Sequence, residues 1–259
     1  MIDLKLGDCL EVLRHMPENS IDLTVTSPPY DDLRAYNDKI KQWNFEKFQS
    51  IARELYRVTK PGGCVVWIVN DATIGGSETG TSFKQALHFK ECGFCLHDTM
   101  IWEKSSAFQH KNRYIQNFEY MFVFSKGAKS QANLIRDRKN KWAGTKVHGT
   151  ERQRDGSTKK ISEKQKSKTV REYGARFNTW DIPPEKYNRT GHPAVFPVQL
   201  AEDHIFTWSN EGDTVLDCFM GSGTTGLACI KLKRKFIGIE LDPQYFEIAK
   251  ERIRSYENQ

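Results

Sequence analysis

The stretch that decides the fold is residues 214–226, which read TVLDCFMGSGTTG. It predicts a strand that runs into a glycine turn, with a helix that begins at Thr224. Its three glycines satisfy the spacing GxGxxG, in which glycine allows a tight turn and lets a ligand approach the backbone amides closely. The next predicted strand, FIGIE, ends in Glu240, and a carboxylate at that position can bind both hydroxyls of a ribose. The segment therefore predicts a binding site for a nucleotide-type cofactor.

The glycine pattern allows both NAD and S-adenosylmethionine, and the position of the segment in the chain discriminates between them. Only about thirty residues follow Gly226, too few for the remaining strands of a nicotinamide-binding domain. The missing strands must then lie at the N-terminus, in an order that is permuted relative to a simple nicotinamide enzyme. This permuted order favours S-adenosylmethionine over NAD.

Apolar runs predict seven strands along the chain, with helices between most of them. Residues 64–69, CVVWIV, form a continuous apolar run, as expected of a strand buried on both faces of a parallel sheet. Alternating strands and helices indicate an α/β fold with a doubly wound, mostly parallel sheet. The predicted strands are 2–6, 21–26, 64–69, 95–102, 120–124, 214–218 and 236–240, and the predicted helices are 45–58, 82–90, 198–208, 224–233 and 244–254.

A proline-rich tetrapeptide, Ser27-Pro28-Pro29-Tyr30, follows the predicted strand 21–26. In an open α/β sheet, ligands bind at the carboxyl ends of the strands. Two adjacent prolines fix φ and remove two backbone donors, so that the Pro28 carbonyl points rigidly in one direction. The Ser27 hydroxyl and the Pro28 carbonyl can accept both N–H bonds of an exocyclic amine, and Tyr30 can stack on its ring. The tetrapeptide therefore predicts a pocket for a flat heterocycle that carries an NH₂ group.

The positive charge of the chain is concentrated in one segment. Sixteen Lys and Arg against five Asp and Glu lie between Lys126 and Arg176, a local net charge of +11 in a chain that carries +6. The remainder is therefore mildly acidic. A basic insert on an acidic body is typical of a protein that binds a polyanion, although a solvated loop shows the same pattern. We interpret residues 127–178 as an insert for target recognition, between a catalytic part, 1–126, and a cofactor-binding part, 179–259.

Other features of the composition narrow the class of protein. No apolar run approaches the roughly 20 residues that span a membrane, and the N-terminus lacks the basic start of a secretory signal. The six cysteines are scattered, which makes a poor disulfide framework. Cys92 and Cys95 form a CxxC pair near His88 and His97, but the predicted strand position of Cys95 disfavours zinc, so we expect no metal. We expect a cytoplasmic protein.

Together, SPPY and FMGSGTTG resemble the motifs of the amino-group DNA methyltransferases, in the permuted class whose catalytic motif precedes its cofactor motif. The resemblance covers most of the chain outside the insert. It implies a seven-stranded methyltransferase sheet with the final strand antiparallel, S-adenosyl-L-methionine as cofactor, and double-stranded DNA as substrate. It also implies direct methyl transfer to a base that is flipped out of the duplex.

The resemblance assigns site residues by their motif positions. Glu240 would hold the ribose, Phe219 would lie beside the adenine or methionine portion, and Asp8 would meet the adenine amino group. Asp8 also suits the N-cap of the helix that follows it, and the two roles are compatible through different atoms. The catalytic set is Ser27, Pro28, Pro29 and Tyr30, and the cofactor set is Asp8, Cys9, Phe196, Pro197, Asp217, Phe219, Gly221, Gly223, Thr224, Thr225, Glu240 and Leu241.

The first residue of the tetrapeptide bears on which base is modified. Serine there resembles the cytosine-N4 enzymes, whereas aspartate is common among the adenine-N6 enzymes. Ser27 therefore favours cytosine N4, with adenine N6 as the alternative. Cytosine C5 is disfavoured because that reaction needs a thiolate, usually after a proline, and none of the six cysteines follows proline.

Candidate contacts to DNA lie outside these motifs. Arg34 and Tyr36 follow the tetrapeptide, where they could fill the gap left by a flipped base. Lys104 and Arg113 lie between two predicted strands, and each could equally be an ordinary surface residue. Two tryptophans of the insert region could either stack on bases or pack in the protein: Trp142 within the insert and Trp180 just after it.

Three other classes of protein remain open. A nicotinamide oxidoreductase shares the glycine spacing but does not account for the tetrapeptide. A protein-glutamine methyltransferase would carry its glycine motif before the proline motif, and a non-catalytic nucleic-acid-binding protein would need only the basic segment. The existence of a separate cognate restriction endonuclease, and the choice between monomer and homodimer, are open as well.

Overall fold

The computed structural model describes residues 1–29, 43–104, 112–128, 132–184 and 196–257. The chain divides into two compact units, one formed by Met1–Asn133 with Asn178–Gln259 and the other by Leu134–Phe177. Within the described residues, no helix combines the length and the apolar character needed to cross a membrane. The first unit carries both sequence motifs and is built around one large sheet.

Eight strands of the described residues form this sheet. They are β1 (Ile2–Leu6), β2 (Ile21–Thr26), β3 (Thr59–Val69), β4 (Cys95–Glu103), β5 (Phe118–Ser125), β6 (Thr179–Asp181), β7 (Thr214–Asp217) and β8 (Lys235–Glu240). Their order across the sheet is β1-β8-β7-β2-β3-β5-β4-β6. Neighbouring strands run parallel, except that β5 is antiparallel to both β3 and β4. A separate short antiparallel ladder pairs Thr73–Ile74 with Ser77–Glu78.

The sheet confirms the predicted mostly parallel α/β fold and corrects two details. The count of seven strands was wrong, because β6 pairs in parallel with β4 and adds an eighth strand. Its three residues are too short to show a period-two pattern in the sequence. The antiparallel strand is β5, the last sheet strand before the insert, and the final strand of the chain, β8, is parallel to both of its neighbours. Because the order of the chain is permuted, the antiparallel strand precedes the insert and does not end the chain.

Six helices among the described residues of the first unit pack on the two faces of the sheet. They are α1 (Cys9–His15), α2 (Phe45–Val58), α3 (Thr81–Glu91), α4 (Val198–Trp208), α5 (Thr224–Lys231) and α6 (Pro243–Glu257). Successive side chains of a strand point to opposite faces, and those of β3 divide between two buried clusters. Trp67 belongs to a cluster with residues of α1, α2 and α3, whereas Val66 and Ile68 belong to one with residues of α4, α5 and α6. The sheet is therefore covered on both faces, as predicted.

The second unit is built from short elements. Two antiparallel ladders pair Arg138–Lys139 with Tyr173–Gly174 and Thr150–Arg152 with Thr158–Lys160. A single turn of helix, Glu163–Lys166, begins at a capping box. None of the described residues of this unit belongs to the two buried clusters of the first unit. Small apolar content and a surplus of cations distinguish it from the sheet unit.

Candidate active site

The predicted motifs of the first unit meet at one edge of the sheet. Asp8, Glu240, the glycine turn at 218–223 and the start of the tetrapeptide at Ser27 directly follow β1, β8, β7 and β2 or lie within two residues of their ends. These four strands are consecutive neighbours and parallel. Because the carboxyl ends of parallel strands lie at the same edge, all four segments face one site. The permuted chain thus brings its first and last parts together.

Gly223 and Gly226 of the glycine motif are required for different structural reasons. Gly223 is the N-cap of α5 and adopts φ +84°, a left-handed conformation that other residues rarely adopt. Gly226 lies in the first turn of α5, where a Cβ atom would stand 2.6 Å from Ile253 Cδ1 and 2.8 Å from Phe236 Cε1. The first glycine therefore shapes the turn, and the second lets α5 pack closely on β8 and α6.

Glu240 ends β8 and supports the same turn. One oxygen of its carboxylate accepts a hydrogen bond from the Gly221 amide at 2.8 Å, and the other accepts one from the Asp242 amide at 2.8 Å. Burial raises the pKa of this carboxyl, although the two backbone bonds act in the opposite direction. A carboxylate offers about four lone-pair sites, so each oxygen retains capacity to accept a ribose hydroxyl.

Asp8 is the N-cap of α1. One carboxylate oxygen accepts from the Leu10 amide at 2.9 Å, and the other accepts from the Lys47 ammonium group at 2.6 Å. Burial opposes ionisation, but the hydrogen bond and charge of Lys47 hold the pKa of Asp8 below its usual value. Cys9 is buried beside it, and burial raises the pKa of its thiol to about 12. Sequence reasoning missed Lys47, which lies on α2, 39 residues from Asp8.

An aromatic cluster surrounds Phe219, the second residue after the end of β7. The half-buried ring of Phe219 makes edge contacts with Trp43, at a centroid distance of 5.4 Å, and with Trp67, at 6.2 Å. Trp67 lies within the apolar run of β3, and Trp43 belongs to no motif, so no local pattern connects either residue with the site. The cluster provides an apolar surface next to the glycine turn, of the kind on which an adenine ring packs.

The start of the tetrapeptide directly follows β2 at this edge of the sheet. Pro28 is buried, whereas Ser27 and Pro29 are half-buried. The Thr26 hydroxyl at the end of β2 donates a hydrogen bond of 2.7 Å to the Asp217 carboxylate at the end of β7, across 191 residues of sequence. Three further predicted site residues lie outside the described residues: Tyr30, Arg34 and Tyr36.

Asp217 is the centre of a buried polar network. Besides Thr26, its carboxylate accepts from the Thr225 hydroxyl at 2.6 Å and from the Phe219 amide at 3.2 Å. Only 1% of Asp217 is exposed, and burial raises its pKa to about 6, although these three donors act in the opposite direction. The carboxylate form therefore prevails at neutral pH. Contact of Asp217 and Thr225 with the cofactor stays a prediction, and since both side chains are buried and bonded to each other, their backbone atoms would have to make it.

The other predicted cofactor residues lie around the same edge. Thr224 is buried in the first turn of α5, and Leu241 is exposed just after β8. Pro197 is the N-cap of α4, and Phe196 before it packs against the cluster that contains Val66. Since α4 leads directly into β7, its first residues lie at the carboxyl edge of the sheet. Contact of these four residues with the cofactor stays a prediction.

Two of the candidate DNA contacts lie among the described residues, and both have partners within the first unit. Lys104 forms an ion pair of 2.5 Å with the buried carboxylate of Glu119. Arg113 donates to the Gly76 carbonyl and lies 3.4 Å from the Glu78 carboxylate. A structural role accounts for both cations, and a role in DNA binding stays a prediction.

The two tryptophans of the insert region, Trp142 and Trp180, differ in burial. Trp180 is buried in β6 and its ring lies 4.5 Å from that of His204, so it packs in the core. Trp142 is 65% exposed in the second unit. Of the CxxC region, Cys95 is exposed and His97 packs on Trp208, and the described residues contain no group of three or more His, Cys, Asp or Glu that could hold a metal ion.

Comparison with known proteins decides the family. Residues 21–251 match the N6- and N4-type DNA methylase family. The chain belongs to this family. The orphan methyltransferase M.BamHII of Bacillus amyloliquefaciens is 53% identical over 260 residues, covering 97% of this chain and 91% of that protein. The type II methyltransferase M.HpaI of Haemophilus parainfluenzae is 29% identical, covering 96% and 73% of the two chains.

The fold of a solved structure is similar over 99% of this chain. TTHA0409 of Thermus thermophilus, crystallised in complex with S-adenosyl-L-methionine, has a TM-score of 0.66 and 26% identity, covering 99% of this chain and 94% of that one. This DNA methylase is thus an S-adenosylmethionine-dependent enzyme of the amino-group family, as predicted. Its own residues fit the cofactor, because Glu240 keeps acceptor capacity for ribose hydroxyls and Phe219 offers an aromatic surface.

Proposed function

We propose that this methyltransferase modifies the N4 amino group of cytosine in double-stranded DNA. The observation that carries the proposal is that Ser27 and Pro28 follow the strand next to the one that carries the glycine turn, with a hydrogen bond joining the two strand ends. Serine in the first position of the tetrapeptide favours cytosine N4. Adenine N6 is the alternative.

The proposed chemistry follows from the weakness of an exocyclic amine as a nucleophile. Its lone pair is delocalised into the ring, and the Ser27 hydroxyl and Pro28 carbonyl act by accepting its two N–H bonds. These bonds draw the amino group out of the ring plane and direct the lone pair away from the ring. When bound, S-adenosylmethionine would supply an electrophilic methyl group and leave as S-adenosylhomocysteine. The amine would release one of its N–H protons to solvent.

The same oxygen atoms also act in the transition state. Positive charge develops on the nitrogen as the new bond forms, and fixed acceptors stabilise that charge without reorganisation. Pro28 is buried, its ring locks φ, and Pro29 after it restricts ψ, so the Pro28 carbonyl keeps one orientation. Proximity and alignment supply a large part of the rate enhancement, and no covalent enzyme intermediate is required. The base reaches such a pocket only when it is flipped out of the duplex.

We further propose that the second unit recognises the DNA target. It contains fourteen Lys and Arg against five Asp and Glu between Leu134 and Phe177, a net charge of +9. Exposed aromatic rings accompany these cations, and the Arg138 guanidinium lies 4.6 Å from the centre of the Phe177 ring. Cations neutralise phosphates and exposed rings stack on bases. Replacement of residues 134–177 by a short linker should abolish DNA binding, while the first unit should still bind the cofactor.

Nucleoside analysis tests the choice of base. The chain is expressed in a host whose own DNA methyltransferases have been deleted, and its DNA is digested and analysed by mass spectrometry. We expect N4-methylcytosine in the digest, and single-molecule sequencing of the undigested DNA should locate it at a defined sequence. N6-methyladenine instead would overturn the cytosine assignment in favour of the alternative, and an absence of both would overturn the proposed reaction.

A matched pair of serine variants tests the pocket. Ser27→Ala is expected to lower kcat about 100-fold or more, as the loss of one fixed transition-state partner does in other enzymes. The control is Ser255→Ala on the exposed side of α6, which should keep full activity. Transfer of tritium from labelled S-adenosylmethionine to DNA measures both. Full activity of Ser27→Ala would remove the tetrapeptide from the reaction.

A further inference from the structure

We propose that the hydrogen-bonded bridge Thr26–Asp217–Thr225 is a positioning device that couples the cofactor turn to the tetrapeptide. Through it, occupation of the cofactor site holds Ser27 and Pro28 in register with the methyl group. The inference rests on the proposed role of these two residues as acceptors for the target amine.

The bridge joins the ends of three elements. Thr26 is the last residue of β2, Asp217 is the last residue of β7, and Thr225 lies in the first turn of α5. Their two hydroxyls donate to different oxygens of one carboxylate, at 2.7 Å and 2.6 Å. Each residue is next to a functional segment, because Thr26 precedes Ser27 and the other two enclose the glycine turn. A shift of the turn is therefore transmitted to the tetrapeptide through a single side chain.

Burial makes the bridge rigid. All three side chains are at most 1% exposed, so water cannot replace a broken bond. An ionised carboxylate in such surroundings strongly favours its full set of donors, which here includes the Phe219 amide. The Cys218 thiol adds a weak contact, with its sulfur 3.8 Å from the Thr26 hydroxyl oxygen. Strand pairing alone allows small slips at the strand ends, and the bridge removes that freedom.

The two arms of the bridge have separable effects. Without the Thr26 hydroxyl, Asp217 keeps Thr225 and the Phe219 amide, so the glycine turn retains its support. The end of β2 then loses its link to the turn. A displacement of about 1 Å in a reacting group can lower a rate about 100-fold. The Thr26 arm should therefore affect kcat far more than the affinity for S-adenosylmethionine.

The chain provides a matched control on the same strand. Thr24 lies two residues before Thr26, hence on the same face of β2. It is fully buried, and its hydroxyl has no hydrogen-bond partner among the described residues. Thr24→Val and Thr26→Val are thus the same chemical change in the same strand, and only the second removes a bond to Asp217.

The experiment measures kcat at saturating DNA and cofactor, together with the Kd for S-adenosylmethionine by calorimetry. Thr26→Val should lower kcat at least about tenfold with a Kd within about threefold of wild type. Thr26→Ser keeps the hydroxyl and should restore kcat, whereas Thr24→Val should behave as wild type. A kcat within about twofold of wild type in Thr26→Val, or an equal loss in Thr24→Val, would overturn the proposal.

A second measurement needs no variant. Hydrogen exchange of the wild-type chain is followed with and without S-adenosylhomocysteine, the demethylated cofactor. We expect the ligand to slow exchange of the Thr26 and Ser27 amides as well as those of the glycine turn. Protection confined to the glycine turn would overturn the proposed coupling. This test remains valid even if the Thr26→Val variant fails to fold. If the wild type transfers no methyl group to cytosine, the proposed function fails, while the Kd and exchange data still decide on the bridge.

Discussion

The hydroxyl oxygen of Thr24 allows a prediction about the free energy of unfolding. Thr24 lies in the middle of β2, paired with Leu216 of β7 and flanked on the other side by Val65 of β3. Its side chain is fully buried and its hydroxyl oxygen has no hydrogen-bond partner among the described residues. A buried polar group without a partner costs about 1–3 kcal/mol. Thr24→Val replaces the hydroxyl by a methyl group of similar size, which removes that penalty.

We therefore expect Thr24→Val to increase the free energy of unfolding by about 1–2 kcal/mol. For a domain of this size, 1 kcal/mol corresponds to a shift in Tm of about 2–4 °C. Urea unfolding gives the free energy and a thermal melt gives the Tm. Thr26→Val should change both in the opposite direction, because it removes a donor from the buried Asp217 carboxylate. A lower Tm for Thr24→Val, or the same sign of change for both variants, would refute the reasoning.

Three further predictions concern the cofactor site. Glu240→Gln should raise the Kd for S-adenosylmethionine about tenfold or more, since a hydrogen bond to a charged group contributes about 1.5–3 kcal/mol; an unchanged Kd in calorimetry would remove Glu240 from the ribose site. Arg252 on α6 donates to the carbonyl and, at 2.8 Å, to the hydroxyl of Ser222 in the glycine turn, so Arg252→Met should raise the same Kd about three- to tenfold, whereas the exposed control Arg254→Met should not. Asp217 binds its proton more tightly in the folded state, with a pKa raised to about 6, so its contribution to stability is present below about pH 4 and is lost as the pH rises to about 6. Unfolding of wild type and Asp217→Asn should therefore differ by a pH-dependent amount of up to about 3 kcal/mol across this range, and a constant difference would contradict the assignment.

Much of the fold could be predicted because the sheet is buried on both faces. The bounds of α2 and α4 agree with the predicted helices 45–58 and 198–208. The helical spacing of apolar residues runs over the full length of both helices in the sequence, so the pattern was sufficient to predict them. The start of β3 was not predicted. The predicted strand began at residue 64, where the apolar run begins, but β3 starts at Thr59 and passes through an irregularity in its pairing with β2. Such a bulge accommodates proline and glycine within a strand, and a local pattern cannot separate it from a turn.

The site was predictable at the level of residue types and only partly at the level of roles. Motif spacing placed Glu240 and Ser27 at strand ends, and parallel pairing brings those ends together. The partner of each side chain depends on pairing between distant strands, which no local pattern contains. Lys47 is invisible for that reason, although it forms an ion pair with Asp8.

Asp217 shows that a motif residue can have a structural role besides the ligand contact that its position suggests. In the sequence it is a carboxylate beside a glycine turn, and ligand binding is the natural interpretation. In the structure β2 lies next to β7, which places the Thr26 hydroxyl within 2.7 Å of that carboxylate. A buried charge that already holds three donors has little capacity left for a ligand, but it determines how the segments around it are spaced. The residue next to a catalytic motif can thus act through geometry, and only the order of the strands identifies its partner.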